Sequence, residues 1–194
     1  TMIEWSQAIV QFIKDYHEQH RKFLDEFAQF PSGHLGMVNE EGGLEMYDGK
    51  LRAIDSEGVV TLNDIATDDY EKYFSEAVAQ WSYMKFPYLK EVGRENGWNR
   101  VGPLARMNIC DFIPTPLADK ARQEFIAFTG KKVNNSTMYS HWARLIEILH
   151  CAEVIKELLH DPDILSDDLV RTGVPRLKGI GIIEAPRGTL THHY

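Results

Sequence analysis

The spacing of apolar residues changes period twice along this chain, and each change limits what the next segment can fold into. Over residues 2–29, Trp5, Ala8, Ile9, Phe12, Ile13, Tyr16, Phe23, Leu24 and Phe27 recur at helical spacing. That pattern predicts a long amphipathic helix with one broad apolar stripe, stopped by Phe30-Pro31-Ser32-Gly33. From Leu35 to Leu62 the period shortens. GMVNEEGGLEMYDGKLRAIDSEGVVTL holds short apolar runs broken by the turn signals EEGG, YDGK and DSEG, which predicts a three-stranded antiparallel meander. Helical spacing then returns. Thr67 offers a cap, Asp68 and Asp69 suit the positive end of a helix, and Tyr70, Tyr73, Phe74, Ala77, Val78 and Trp81 form one face.

The aromatic connector FPYLKEVGRENGWNR follows and reads as a surface loop or a packed excursion, while VGPLARMNICD (101–111) fits no single period. Thr115-Pro116 is a helix start, with the hydroxyl at the cap and proline where its missing N–H costs nothing. Gly130 ends that helix, and Asn134 to Ser136 offer a second cap. Residues 137–160 carry the most regular helical pattern, with Trp142, Leu145, Ile146, Leu149, Ala152, Ile155 and Leu159, and Asp161-Pro162 stops it. A polar linker reaches Gly173 and a tail strand begins near Leu177. The order predicts an α+β fold of helices, a small antiparallel β-meander and a C-terminal extended strand. Its regions are an N-terminal helix over 1–34, the meander over 35–65, a helical region over 66–172 and the strand over 173–194, all in one compact body.

Composition removes several functions. A formal net charge of −8 with no Lys/Arg stripe argues against nucleic acid as a partner. No apolar run approaches the length that spans a bilayer, and no cationic segment precedes the N-terminal apolar residues. Two cysteines, Cys110 and Cys151, make no disulfide framework and point to the cytoplasm. The remaining motifs are weak. His17-Glu18-Gln19-His20 places its histidines three apart, where a zincin helix needs four. His141, His150 and His160 do not share a face, and neither cysteine has a CxxC partner. No nucleophile elbow, P-loop or dinucleotide fingerprint is present. No residue is assigned as a metal ligand.

Glu184-Ala185-Pro186-Arg187-Gly188 is different in kind. Proline fixes the backbone before the arginine, and glycine after it admits a close neighbour. A guanidinium on such a corner suits recognition of an anion or an electron-rich ligand, although a plain surface turn has the same pattern.

GIIEAPRGTLTHHY (181–194) resembles the late large-subunit motif of [NiFe] hydrogenases. YDGKLR (47–52), WSYMKFPYLKEVG (81–93) leading into RVGPLARMNICD (100–111), and HWARLIEILHCAE (141–153) agree with that family in order and spacing. The wording is nearest to the soluble, multisubunit, NAD-linked or methanogen-type enzymes, from about residue 35 onward. The resemblance implies the middle of a large, catalytic subunit whose parent interconverts hydrogen with protons and electrons. Its cofactor would be a Ni–Fe centre with cyanide and carbonyl ligands. That family holds its metals with two CxxC pairs, and neither occurs here. The chain then reads as excised between them, which would explain an end at HHY, and as inactive and metal-free alone.

By the same resemblance, Arg187 acts in catalysis beside the open coordination position, and Ala185, Pro186 and Arg187 line the cofactor pocket. Glu184 and His192 read as structural. The implied partners are the remainder of the large subunit, a diaphorase module and an Fe–S-bearing small subunit. Two other readings stand beside this one. The related quinone-reducing subunit of respiratory complex I shares an EAPRG-like turn without nickel, but THHY and the HWARLIEILHCAE helix match the hydrogenase pattern better. A stand-alone scaffold of helices and meander is the other. If segments of a parent cover Ile180, Ile182, Leu190 and the aromatic connector, the piece alone presents a large apolar patch.

Overall fold

A computed structural model describes residues 1–170 and 172–194; Arg171, inside the predicted 66–172 region, lies outside the described residues. Helix α1 (Met2–Glu26) breaks regular geometry at His20 (φ −117°, ψ 17°). Its apolar residues are too broad a stripe for one neighbour. Ile3, Val10, Ile13 and Leu24 pack into the helical core, whereas Trp5 and Phe12 stay 70% and 66% exposed. The broad apolar stripe is therefore only partly buried. Only the strip facing α5 (Ser140–Leu158) is covered, where His17 lies 5.2 Å from Trp142 and Tyr139 Oη donates to Asp25 at 2.7 Å.

Strands β1 (Gly33–Val38), β2 (Lys50–Ile54) and β3 (Val60–Ile65) pair antiparallel in sequence order. The run around Leu44 makes isolated bridges, Leu44 to Val38 and Gly43 to Phe112, and does not become a strand. Strand β1 is buried on both faces: Leu35 and Met37 join a sheet core with Leu51, Leu62 and Ile182, while Val38 joins the helical core.

After the 3₁₀ turn Thr67–Asp69, the predicted helix lasts one turn, α2 (Tyr70–Tyr73). The chain then forms a hairpin of β4 (Phe74–Ala79) and β5 (Ser82–Leu89). The helix expectation over 67–81 fails because the same aromatic and β-branched residues fit a pleated ribbon once Leu89 is anchored in the sheet core. Phe86 to Leu89 of the connector thus belong to a strand. Its continuation folds back through Gly97, whose carbonyl accepts from Leu89 N–H at 2.9 Å. A two-residue strand β6 (Asn99–Arg100) adds parallel to β1, so the sheet order is β3-β2-β1-β6.

Helices α3 (Pro103–Ile109), α4 (Pro116–Thr129) and α5 complete the core. Phe125, Phe128 and Tyr139 ring Trp142 at 5.2 to 6.5 Å, edge-on, tilted or stacked, as aromatic quadrupoles prefer over a face-to-face sandwich. Thr115 precedes α4 as expected, but its hydroxyl does not cap it. Thr115 Oγ1 meets His150 Nδ1 at 2.9 Å, and the amides of Leu117 and Ala118 donate instead to the Glu153 carboxylate from α5. The tail is a second correction. Instead of one strand, β7 (Ile180–Ala185) and β8 (Gly188–His193) form an antiparallel hairpin. Ile182 is buried against the sheet core, while Leu190 is 40% exposed. The mixed α+β class stands. No helix among the described residues is long and apolar enough to cross a membrane.

Candidate functional site

Ala185 pairs with Gly188, which leaves Pro186 and Arg187 as a two-residue turn. The three expected site residues are therefore contiguous in space as well as in sequence. Strand alternation turns Ile182 and Glu184 inward, and both are buried. The Glu184 amide donates to Met46 carbonyl at 2.8 Å, docking β7 beside the segment that follows β1.

What holds this corner is a buried ionic network. Arg106, on the largely apolar helix α3, is 1% exposed. Its Nε and Nη2 donate to the two carboxylate oxygens of Glu147 at 2.6 and 3.0 Å. Its Nη1 donates to Glu184 Oε2 at 2.6 Å and to the Ala185 carbonyl at 3.1 Å. Thr189 Oγ1 donates to the other oxygen of Glu184 at 2.8 Å. Arg144 on α5 donates to the Pro186 carbonyl and lies 3.4 Å from Glu147. The Arg187 carbonyl sits against Gly102: a Cβ there would come within 2.6 Å of it, and Gly102 has φ +92°. Glycine is required at that contact on both counts. Each carbonyl of Ala185-Pro186-Arg187 is thus fixed by a guanidinium or by close packing.

The charges balance within the cluster, two arginines against two glutamates. Burial alone would lower the Arg106 pKa, but Glu147 and Glu184 outweigh it and hold the guanidinium above its usual value. For Glu184 burial wins, and the carboxyl is raised despite Arg106 and Thr189. A bidentate buried pair such as Arg106–Glu147 is costly to break because removal of one partner strands the other charge.

Arg187 itself points the other way. Pro186 and Arg187 are exposed, Ala185 is half-buried, and the Arg187 side chain has no hydrogen bond or ion pair among the described residues. The backbone is rigid and the guanidinium is free. Sequence reading finds the corner but misses Arg106, Arg144 and Glu147. The signal was available: a charge inside an apolar helix, as in PLARMNI and RLIEIL, is seldom buried without a partner.

The metal-binding candidates separate in space. His17 is buried with Nδ1 at 2.9 Å from the Ile13 carbonyl, while His20 is exposed at the kink. No group of three or more His, Cys, Asp or Glu among the described residues could hold a metal ion. Cys110 is buried, and burial pushes its thiol up to about 11, so it remains a protonated thiol at neutral pH.

No protein-family model matches the chain. It is 48% identical to NAD-reducing hydrogenase HoxS subunit beta of Cupriavidus necator, over all of this chain and 40% of that protein. It is 39% identical to a vhu subunit of the F420-non-reducing hydrogenase of Methanocaldococcus jannaschii, again over all of this chain and 46% of that protein. A crystal structure of an NAD+-reducing [NiFe]-hydrogenase in the H2-reduced state superposes with a TM-score of 0.93 at 44% identity, covering 99% of this chain and 43% of that one. The chain spans less than half the length of the relatives it matches. These relatives correct the expectation of a large, catalytic subunit, and with it that of a large-subunit middle portion. The first is a beta subunit, the second a vhu subunit, and a further one from Archaeoglobus profundus, 36% identical, is an iron-sulfur subunit. None of the three bears the name of a large subunit. The chain is similar, from end to end, to parts of hydrogenase subunits, which belong to multisubunit oxidoreductases.

Proposed function

We propose that this chain works as part of a hydrogenase subunit in a multisubunit complex that exchanges hydrogen for protons and electrons. The observation that carries this reading is the 48% identity to a NAD-reducing hydrogenase subunit over the whole chain. The exposed aromatic strip of α1, with Trp5, Phe12 and Phe23, supports a place inside a larger assembly. The described residues do not fit the ligand set of a metal centre, because they bring no donor cluster together and bury the Cys110 thiol. A nickel–iron centre in the complex would be held by other residues.

The part this chain plays is electrostatic. Arg106, Arg144 and Gly102 fix the backbone of Ala185-Pro186-Arg187, so only the side-chain rotamers of Arg187 remain to be ordered when charge develops near its guanidinium. Ala185 and Pro186 shape the wall around it. Arg187 binds and stabilises negative charge; its intrinsic basicity makes it a poor resting proton acceptor. The test is Arg187→Ala and Arg187→Lys in the assembled enzyme, assayed for hydrogen-dependent acceptor reduction. Losing one preorganised donor of this kind costs about 100-fold or more in kcat, with partial recovery in the lysine variant. Unchanged turnover in Arg187→Ala, with the assembly intact by gel filtration, would sink the assignment.

A further inference from the structure

Helix α1 carries two apolar rows, and the chain covers one of them. The inner row, Ile3, Val10, Ile13 and Leu24 with the buried His17, packs on α5 and the helical core. The outer row is Met2, Trp5, Ile9, Phe12 and Tyr16, whose side chains are between 42% and 70% exposed. Their spacing alternates between three and four residues, the rhythm by which one helix seats its side chains between those of another. From Met2 to Tyr16 the row runs about 22 Å. It ends where regular geometry ends, at His20, and beyond that point Phe23 and Phe27 stack on each other at 5.2 Å. The two rows lie about 100° apart around the axis and adjoin each other. One neighbour needs a stripe of about 100°, so an arc this wide suits two helical neighbours. Helix α5 is one of them.

The border of the outer row away from α5 is acidic. Glu4, Asp15 and Glu18 lie along it, all exposed. Glu4 meets the Thr1 ammonium at 2.8 Å, while Asp15 and Glu18 make no ion pair among the described residues. The cation of this stretch, Lys14, is turned to α4, with Nζ 2.9 Å from Glu124. Two coverings are disfavoured as a result. In an antiparallel two-fold pair of α1 helices the same border meets itself, so a second copy would set Asp15 and Glu18 against acidic mates. Helices that lie on anionic membranes border their apolar face with Lys and Arg, the opposite sign. A helix with Lys or Arg beside its own apolar row complements this border.

We propose that the outer row of α1 seats an amphipathic helix, apolar at heptad spacing and basic along one flank, supplied by the rest of the hydrogenase subunit. The source, though not the chemistry, rests on the function proposed above: the relatives run to more than twice the length of this chain. A row of large apolar residues with few charges between them also suits a permanent contact better than a transient one.

The chemistry is tested on the full 194-residue chain with a three-heptad peptide bearing Leu at its seam positions and Lys beside them, titrated while amide NMR shifts of α1 are followed. Saturable shifts are expected at Trp5, Ile9 and Phe12. Binding should weaken at least about tenfold for the same peptide with Glu in place of Lys, for a peptide of scrambled order, and for Phe12→Ser. Phe12 is 66% exposed, so that variant keeps its fold. Asp15→Lys combined with Glu18→Lys should reverse the preference between the Lys and Glu peptides. Failure of the Lys peptide to saturate, equal binding of the two peptides, or undiminished binding by Phe12→Ser overturns the proposal.

The source is tested in the assembled enzyme, with p-benzoylphenylalanine placed at position 12 and irradiated. A cross-link within the same polypeptide, to a segment containing Lys or Arg, is the expected product. A cross-link to a second copy or to another subunit, or none at all, overturns the assignment. Absence of hydrogen-dependent turnover would instead sink the function proposed above and leave the peptide result standing.

Discussion

The molecule builds a two-residue hairpin twice and supports the two in opposite ways. In β4–β5, Ala79 pairs with Ser82 and the turn is Gln80-Trp81. In β7–β8, Ala185 pairs with Gly188 and the turn is Pro186-Arg187. The first projects its side chains into solvent, with Trp81 81% and Tyr83 99% exposed; it is tethered at its base through Leu89 and nearer its tip by a single bond, from the exposed Arg94 Nη2 to the Val78 carbonyl. The second is anchored at its tip, where proline restricts one residue and two arginines and a glycine hold the rest. Local pairing makes both hairpins. Tertiary anchoring decides which one can present a side chain at a fixed place.

The largest expected effect comes from removing the central anchor. Arg106→Met leaves two buried carboxylates, Glu147 with only the partly exposed Arg144 and Glu184 with no cation among its contacts in the described residues. Breaking a buried pair from one side costs about 3–5 kcal/mol. The corresponding change on the free hairpin, Trp81→Ser, should stay within about 0.5 kcal/mol, as surface substitutions do. Urea unfolding of both variants checks the contrast, and similar midpoints would mean that the tip is not anchored as described.

Gly102→Ala comes next and is more local. The added methyl meets the Arg187 carbonyl and forces a positive φ on a residue with a side chain. Such strain costs about 1–3 kcal/mol. Because the clash lies on the corner itself, amide NMR shifts should move at Arg187 and Gly188 while those at Trp81 and Tyr83 remain. Shifts spread evenly over both hairpins would show that the corner is not separately held.

The contrast also shows what a single sequence exposes. The α+β class is legible because the apolar period changes with the structure: dense helical spacing around Trp142 gives α5, and the turn-broken runs after Gly33 give β1 to β3. The turn at Pro186-Arg187 is legible because proline and glycine bracket it. The β4–β5 hairpin is not, since residues 70, 73, 74, 77, 78 and 81 satisfy helical spacing while the aromatic density equally suits strands, and period alone cannot arbitrate. Nor are the anchors of the corner, because Arg106 reaches partners 41 and 78 residues away. A sequence announces that such a charge is out of place; only the packed chain says what answers it.

The smallest effect sharpens the comparison from within the anchored hairpin, through pH. Glu184 is pulled two ways: burial raises its pKa, while Arg106 and Thr189 lower it, and burial prevails. The folded chain then holds this proton more tightly than the unfolded chain does. Its stabilising contribution is complete below the unfolded carboxylate pKa and is lost as pH rises through the higher folded value. Glu184→Gln deletes that dependence, and Arg106 keeps its bidentate bond to Glu147. Measured from pH 4 to 7, the stability of the parent relative to Glu184→Gln should fall with rising pH above the ordinary glutamate value of 4.5. Opposite movement would place Glu184 under the control of Arg106 rather than of burial. The corner would then be held by an ion pair strengthened at neutral pH, and the two hairpins would differ even more than their geometry implies.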